Sequence, residues 1–189
     1  MRRALDRLYQ ASGALAALFM VAICAIVLLQ VGANLLDSII AVFGGRPLGL
    51  LIPSYAEFAG FFLAASSFLA LAYTLRRGSH IRVALLVQHL TGRRRRIAEL
   101  WCIAVAAVLS SYFALFAVNL AYDSLRFGDV SPGMVPVSLW IPQSAVALGL
   151  VVLTVALFDE LVSVLRGEDP SYQGQEDSLL AGDGGNERT

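Results

Sequence analysis

Long uncharged apolar runs alternate along this chain with short segments rich in charge, glycine or proline. The first run extends from Leu8 to Leu36, and three later runs follow the same pattern. Each run contains the roughly 20 residues that a helix needs to cross a hydrocarbon core of about 30 Å. The pattern therefore predicts an all-α integral membrane protein with four transmembrane helices, at about 11–36, 55–75, 97–122 and 138–165.

A polar segment from Arg76 to Arg96 separates the second span from the third and holds seven of the 14 arginines. One helical face within this segment is apolar. It is formed, at the i, i+3, i+4, i+7 spacing, by Val83, Leu86, Val87 and Leu90. A helix with such a face lies flat in the headgroup layer of a membrane. We therefore expect two transmembrane hairpins joined by an amphipathic interfacial helix at about 81–91.

The arginines are distributed unevenly between the two sides of the membrane that these spans define. Twelve lie in the terminal segments and in the 76–96 segment, whereas Arg46 and Arg126 lie in the two connections on the other side. Short loops rich in arginine stay cytoplasmic when a chain is inserted. We therefore expect cytoplasmic termini, a membrane domain over residues 1–166, and a disordered acidic cytoplasmic tail over residues 167–189.

Composition and motifs narrow the class of function. Hydrophobic residues make up 58% of the 189 residues and charged residues 15%, and the mean hydropathy is +0.71, values that soluble domains do not show. The sequence has no phosphate-binding glycine loop, no Cys-x-x-Cys and no serine elbow. Its spans carry no ionisable residue at mid-depth, where a proton or ion pathway would need one. We expect neither an enzyme nor a cofactor or metal site, and a membrane subunit fits better than a pump.

Glu57 is the most informative acidic residue, because it lies at the beginning of the second span. Ser54 precedes it by three residues, the spacing of a capping box in which each side chain binds a free backbone N–H of the first helical turn. An N-terminal cap and a contact with another subunit are the two interpretations. In the last span, Trp140 has the position of an aromatic-belt anchor, and Gln143 follows it by three residues.

Three motifs carry a resemblance to a known family. They are the segment GSHIRVALL at 78–86, the acid at the start of the second span, and the segment VPVSLWIPQSAVALG at 135–149. With these motifs, residues 1–165 resemble the small membrane subunit (DctQ-like) of tripartite ATP-independent periplasmic (TRAP) transporters. Many members of that family have paired acids before the second span and an arginine near the end of the first. Here Ala56 precedes Glu57, and Asn34 lies where that arginine is found.

The resemblance implies a function in solute uptake. In such systems a periplasmic binding protein delivers an organic acid to a large membrane permease subunit, which moves it inward with an ion gradient, usually of sodium. The small subunit is implied to brace the large one in the bacterial inner membrane. The residues then expected at subunit contacts or in structural roles are Glu57, His80, Arg82, Trp140 and Gln143. Arg93, Arg94, Arg95 and Arg96 are expected to bind anionic lipid headgroups, and no nucleic acid is expected as a partner.

A membrane anchor or haem-binding subunit of a redox complex is the alternative. Haem iron requires axial ligands, and His80 and His89 are the two histidines of the chain. Both belong to the interfacial segment, and no histidine faces them from a span. A small multidrug exporter that uses Glu57 as its proton carrier is disfavoured because that acid should lie inside the first span.

Overall fold

Four α-helices form the part of the chain that the computed structural model describes, which comprises residues 2–43, 46, 49, 53–76 and 93–165. They are α1 (Arg2–Val42), α2 (Tyr55–Arg76), α3 (Arg93–Phe127) and α4 (Trp140–Leu165). Each is long and apolar enough to cross a membrane. The predicted all-α class with four transmembrane helices is confirmed. The predicted interfacial helix at 81–91 and the tail at 167–189 lie outside the described residues.

Two helices are longer than a membrane crossing requires. At a rise of 1.5 Å per residue, the 41 residues of α1 and the 35 residues of α3 extend for about 60 Å and about 50 Å. Helix α1 continues through Asp37, where the sequence suggests a connection, because the apolar stretch Ile39–Val42 contains no helix breaker. The Asp37 carboxylate accepts a hydrogen bond from the Gly49 N–H at 3.0 Å, which brings the following loop back to the helix.

Small residues and hydroxyl groups join α1 to α2 in an antiparallel hairpin. The Ser12 hydroxyl donates to the Leu69 carbonyl at 2.5 Å, and the Ser66 hydroxyl donates to the Ala16 carbonyl at 2.9 Å. Gly13 faces Tyr73 so closely that a Cβ at this position would lie 2.7 Å from the Tyr73 Cγ. Such small-residue contacts and interhelical hydrogen bonds are the usual basis of helix association in lipid.

Helix α4 lies beside α2 and runs parallel to it. A Cβ built on Gly149 would lie 2.6 Å from the backbone carbonyl carbon of Phe68, so the two backbones are in contact at this crossing. The opposite side of α4 packs against α3, where Ala107 and Ala114 are buried and the Ser110 and Thr154 hydroxyls lie 2.9 Å apart. The second hairpin is therefore joined to the first through α2 and α4.

The four helices are arranged as a row in the order α1, α2, α4, α3. Helix α3 packs only against α4 among the described helices, and α1 contacts α4 at a few residues. The principal buried cluster lies where Tyr9 of α1 meets Ala72 of α2 and Val152 and Ala156 of α4. We call the end of the row where α1 and α3 begin the terminal end. The end where α2 and α4 begin is the hairpin end.

Candidate functional site

A short loop between α3 and α4, residues 128–139, covers the hairpin end. It is closed by backbone hydrogen bonds from the Ser131 N–H to the Val137 carbonyl at 2.8 Å and from the Leu139 N–H to the Asp129 carbonyl at 3.0 Å. Gly128 has a φ of +71°, which favours glycine and lets the chain leave α3 sharply. The Ser124 hydroxyl donates to the Asp129 carboxylate at 3.1 Å, so the loop is also fixed to the last turn of α3.

The tip of this loop is docked on the first turn of α2. The Val135 N–H donates to the Ser54 hydroxyl oxygen at 3.1 Å. A Cβ built on Gly133 would overlap the Glu57 carboxylate and would lie 2.8 Å from the Ser54 Oγ. A side chain at position 133 would therefore displace the Glu57 carboxylate from its place against the loop backbone. We call Ser54, Glu57, Gly133 and Val135 the clasp, because they connect the two hairpins.

The capping box expected for Ser54 and Glu57 does not form. Ser54 adopts a left-handed conformation, with φ of 57°, and the Glu57 N–H donates to the Ser54 carbonyl at 2.9 Å rather than to its hydroxyl. That hydroxyl instead binds the loop. The Glu57 Oε2 is buried and has no hydrogen-bond partner among the described residues. Glu57 therefore lies where the two hairpins contact each other. The sequence spacing around the start of α2 could not predict this contact.

The two candidate residues of α4 lie in its first turn. Trp140 begins the helix and is 38% exposed, and its role as an aromatic-belt anchor stays a prediction. Gln143 is half-buried, its N–H donates to the Leu139 carbonyl at 3.2 Å, and its side-chain Oε1 is buried without a hydrogen-bond partner in the described part of the chain. Two acceptor oxygens, from Glu57 and Gln143, are therefore buried near the hairpin end without donors, an arrangement that costs free energy when it stays unsatisfied.

The other candidate residues belong to the terminal end or to segments beyond the described residues. Arg93, Arg94, Arg95 and Arg96 form the first turn of α3, and their side chains are not described. His80 and Arg82 lie outside the described residues, as does His89. The predicted roles of these residues stay predictions.

Sequence reasoning missed one buried acid, Glu160. This residue is 6% exposed within α4, whereas its neighbour Asp159 is half-buried. A signal was present, because Glu160 follows Gly149, Val152 and Ala156 at helical spacing and so lies on the face of α4 that packs against the first hairpin. Gln30 of α1, at 3% exposure, is buried in the same unexpected way, and its amide donates to the Asn34 side chain at 3.2 Å.

The chemistry available at the clasp is that of hydrogen-bond acceptance and packing. Within the described ranges, no three His, Cys, Asp or Glu side chains lie close enough together to hold a metal ion. Cys24 and Cys102 are free thiols exposed on the helix surfaces. The described residues of the clasp join the two hairpins through a hydrogen bond and close packing.

Comparison with curated proteins and with solved structures gives no match. The family model described as "Tripartite ATP-independent periplasmic transporters, DctQ component" matches residues 38–167, which is more than half of the chain. The match includes the clasp, α2, α3, α4 and the segment between α2 and α3. Members of this family work with a large membrane permease and a periplasmic binding protein, as components of a transporter in the inner membrane. The chain belongs to the DctQ component family of TRAP transporters.

Proposed function

We propose that the chain is the small permease subunit of a sodium-driven transporter for organic acids, and that it braces the large membrane subunit. The observation that carries the bracing role is the row of helices. A row one helix thick offers two broad faces and little interior, because α1 and α3 lie at opposite edges and do not pack together. Such an arrangement supports a neighbouring protein better than it encloses a solute.

The apolar surface of the row supports the same role. Few residues in the most apolar 18-residue stretch of each edge helix are buried within the chain. The buried share is 11% in α1 and 17% in α3. Many large apolar side chains of both edge helices, such as Leu18 and Val21 of α1 and Phe116 of α3, are exposed and face lipid or another membrane protein. A large permease packed against one edge would bury part of this surface and would gain a wider membrane footprint.

The orientation proposed for this subunit has the terminal end in the cytoplasm. Its support is the arginine distribution, with Arg46 and Arg126 alone on the hairpin side. The segment with His80 and Arg82 would then rest on the cytoplasmic surface and set the angle between the hairpins. Arg93, Arg94, Arg95 and Arg96 would attract anionic headgroups, each contributing about 1 kcal/mol near the membrane surface.

The clasp and its neighbours have a structural role in this proposal. Glu57 and Gly133 keep the two hairpins in register at the periplasmic side, while Trp140 places the start of α4 at headgroup depth. Gln143 lies three residues further along the same turn and offers a buried acceptor to a donor from a neighbouring helix. The surface available to the large subunit and to the binding protein then depends on this register.

Reconstitution tests the proposed function. Proteoliposomes would contain the large subunit alone, this chain alone, or both, and would receive the binding protein and labelled mono- or dicarboxylates under an inward sodium gradient. We expect uptake only when all three components are present, and a matched potassium gradient should not drive it. Equal uptake without this chain would refute the bracing role, and uptake by this chain alone would refute its function as a subunit.

Cysteine labelling tests the orientation separately. In a variant with Cys24 and Cys102 replaced by serine, single cysteines would be placed at Arg46, Met134 and Gly92. An impermeant thiol reagent should label the first two in intact cells and the third only after lysis. Labelling of Gly92→Cys from outside would reverse the proposed orientation.

A further inference from the structure

Helix α3 carries a continuous exposed stripe on the side opposite α4. Its members recur at spacings of three or four residues, and we call them the α3 seam: Val105, Val108, Tyr112, Phe116 and Asn119. All are exposed, with Tyr112 at 55% and Phe116 at 58%. The α4-facing residues Ala107, Ser110 and Ala114 are buried on the other side of the helix. The seam is about 21 Å long at the helical rise, so any protein that covers it is itself embedded in the membrane.

Asn119 is the polar member of this seam, and its amide has no hydrogen-bond partner within the described part of the chain. It lies four residues before Asp123, which places it about 6 Å towards the apolar part of the helix. Hydroxyl groups nearer the middle of α3 have hydrogen-bond partners within the chain. The Ser111 hydroxyl donates to the Ala107 carbonyl at 2.6 Å, and Ser110 pairs with Thr154. An amide has two donors and an acceptor that lipid chains cannot satisfy.

We propose that the α3 seam is the surface on which a transmembrane helix of the large permease subunit packs, and that this helix hydrogen-bonds Asn119. The inference rests on the proposed function, and it adds that the large subunit contacts the α3 edge of the row. Side chains such as Ser, Thr, Asn, Gln or His on the partner would meet the Asn119 amide. Interhelical hydrogen bonds of this kind are a common feature of membrane protein interfaces.

The large aromatic side chains of the seam limit which residues the partner helix can place opposite them. The Tyr112 and Phe116 rings lie with centroids 4.5 Å apart and form a continuous aromatic ridge. At one contact between α1 and α2, the bulky Tyr73 ring packs against Gly13, and small residues commonly line helix contacts in membranes. We therefore expect small residues on the partner helix opposite Tyr112 and Phe116.

Two other arrangements agree less well with these residues: contact between the seams of two copies, and contact of the large subunit with α1. In a parallel symmetric contact between two copies, the seams would oppose aromatic residues at the same height and would bring no small residue to either side. The α1 edge is the other candidate for the large subunit. There the Asn34 side chain already accepts a hydrogen bond from Gln30, and the exposed residues around Leu18, Val21 and Leu28 are apolar, as lipid contact requires.

Site-specific photocrosslinking in the assembled complex tests this inference. A benzophenone amino acid would replace Phe116 in the seam or, as a matched control, Leu28 on the exposed face of α1. The chain would be co-expressed with the large subunit and purified through a tag on that subunit. We expect an adduct with the mass of both subunits from the Phe116 position and none from the Leu28 position.

Three results would overturn the inference in distinguishable ways. Intact co-purification with an adduct only from Leu28, or with none from either position, would refute the seam and leave the proposed function standing. An adduct of two copies of this chain from Phe116 would assign the seam to self-association. Absence of any co-purification would refute the proposed function together with the seam.

A substitution of Asn119 supplies a second readout. Asn119→Leu keeps the helix apolar and should insert normally, but it removes the amide. We expect recovery of the complex to fall about threefold, the factor of a typical interhelical hydrogen bond, and Asn119→Gln to restore part of it. Unchanged recovery with Asn119→Leu would show that no partner binds this amide.

Discussion

Replacement of Gly149 by alanine is expected to separate α2 from α4. A Cβ at this position would lie 2.6 Å from the Phe68 carbonyl carbon, 2.8 Å from its oxygen and 2.9 Å from the Leu69 nitrogen. Ordinary contacts begin at 3.4 Å, so the overlap is about 0.8 Å (3.4 − 2.6). All three atoms belong to the backbone of α2, and a side-chain rotation cannot relieve the clash. Overpacking of this kind costs about 1–3 kcal/mol.

Gly60→Ala is the matched control, because a Cβ there would meet no atom within 4 Å. Both substitutions gain the helix propensity of alanine over glycine, about 1 kcal/mol in water, so this gain cancels in the comparison. Steric trapping in bicelles measures the free energy of unfolding of each variant. We expect Gly149→Ala to be less stable than Gly60→Ala by about 1–3 kcal/mol. Equal stability of the two variants would refute the close contact between α2 and α4.

Two further predictions concern the contacts between helices. Ser12→Ala and Ser66→Ala should each lower the free energy of unfolding by about 0.6 kcal/mol, because each removes one interhelical hydrogen bond, and steric trapping of both variants checks this. Gly133→Ala should weaken the docking of the α3–α4 loop on α2. Limited proteolysis should then cleave the chain faster within residues 128–139. Glu57→Ala in the same chain should restore slow cleavage because it removes the overlapping carboxylate, and persistent fast cleavage in the double variant would contradict this account.

The sequence could predict the four helices but not their order in the row. Runs of uncharged residues as long as Leu8–Leu36 identify membrane crossings, since few other structures tolerate them. Helix contacts in lipid depend instead on single small residues, and Gly149 looks no different in the sequence from Gly60 or Gly32. Of these three glycines, Gly149 alone has the backbone of another helix within contact distance. The pairing of α2 with α4 therefore needed the structure.

The candidate site was predictable in part. The position of Glu57 at the start of a span indicated a residue of interest, and the structure places it at the contact between hairpins. Its supposed partner, Ser54, binds the Val135 N–H instead, 81 residues further along the chain. Local spacing carries no information about such a distant donor. Glu160 was overlooked for a related reason, because a charged residue near the end of a span is usually exposed, whereas this one faces the interior.

The position of α3 at the edge of the row has a consequence for biosynthesis. Helix α1 can pair with α2 as soon as both have left the ribosome, but among the four described helices α3 packs only against α4, which follows it in the chain. The third helix must therefore wait in the lipid or beside the translocon until the fourth arrives. A nascent chain arrested before Trp140 should contain a folded first hairpin and an unattached third helix, a state that membrane quality-control proteases would recognise.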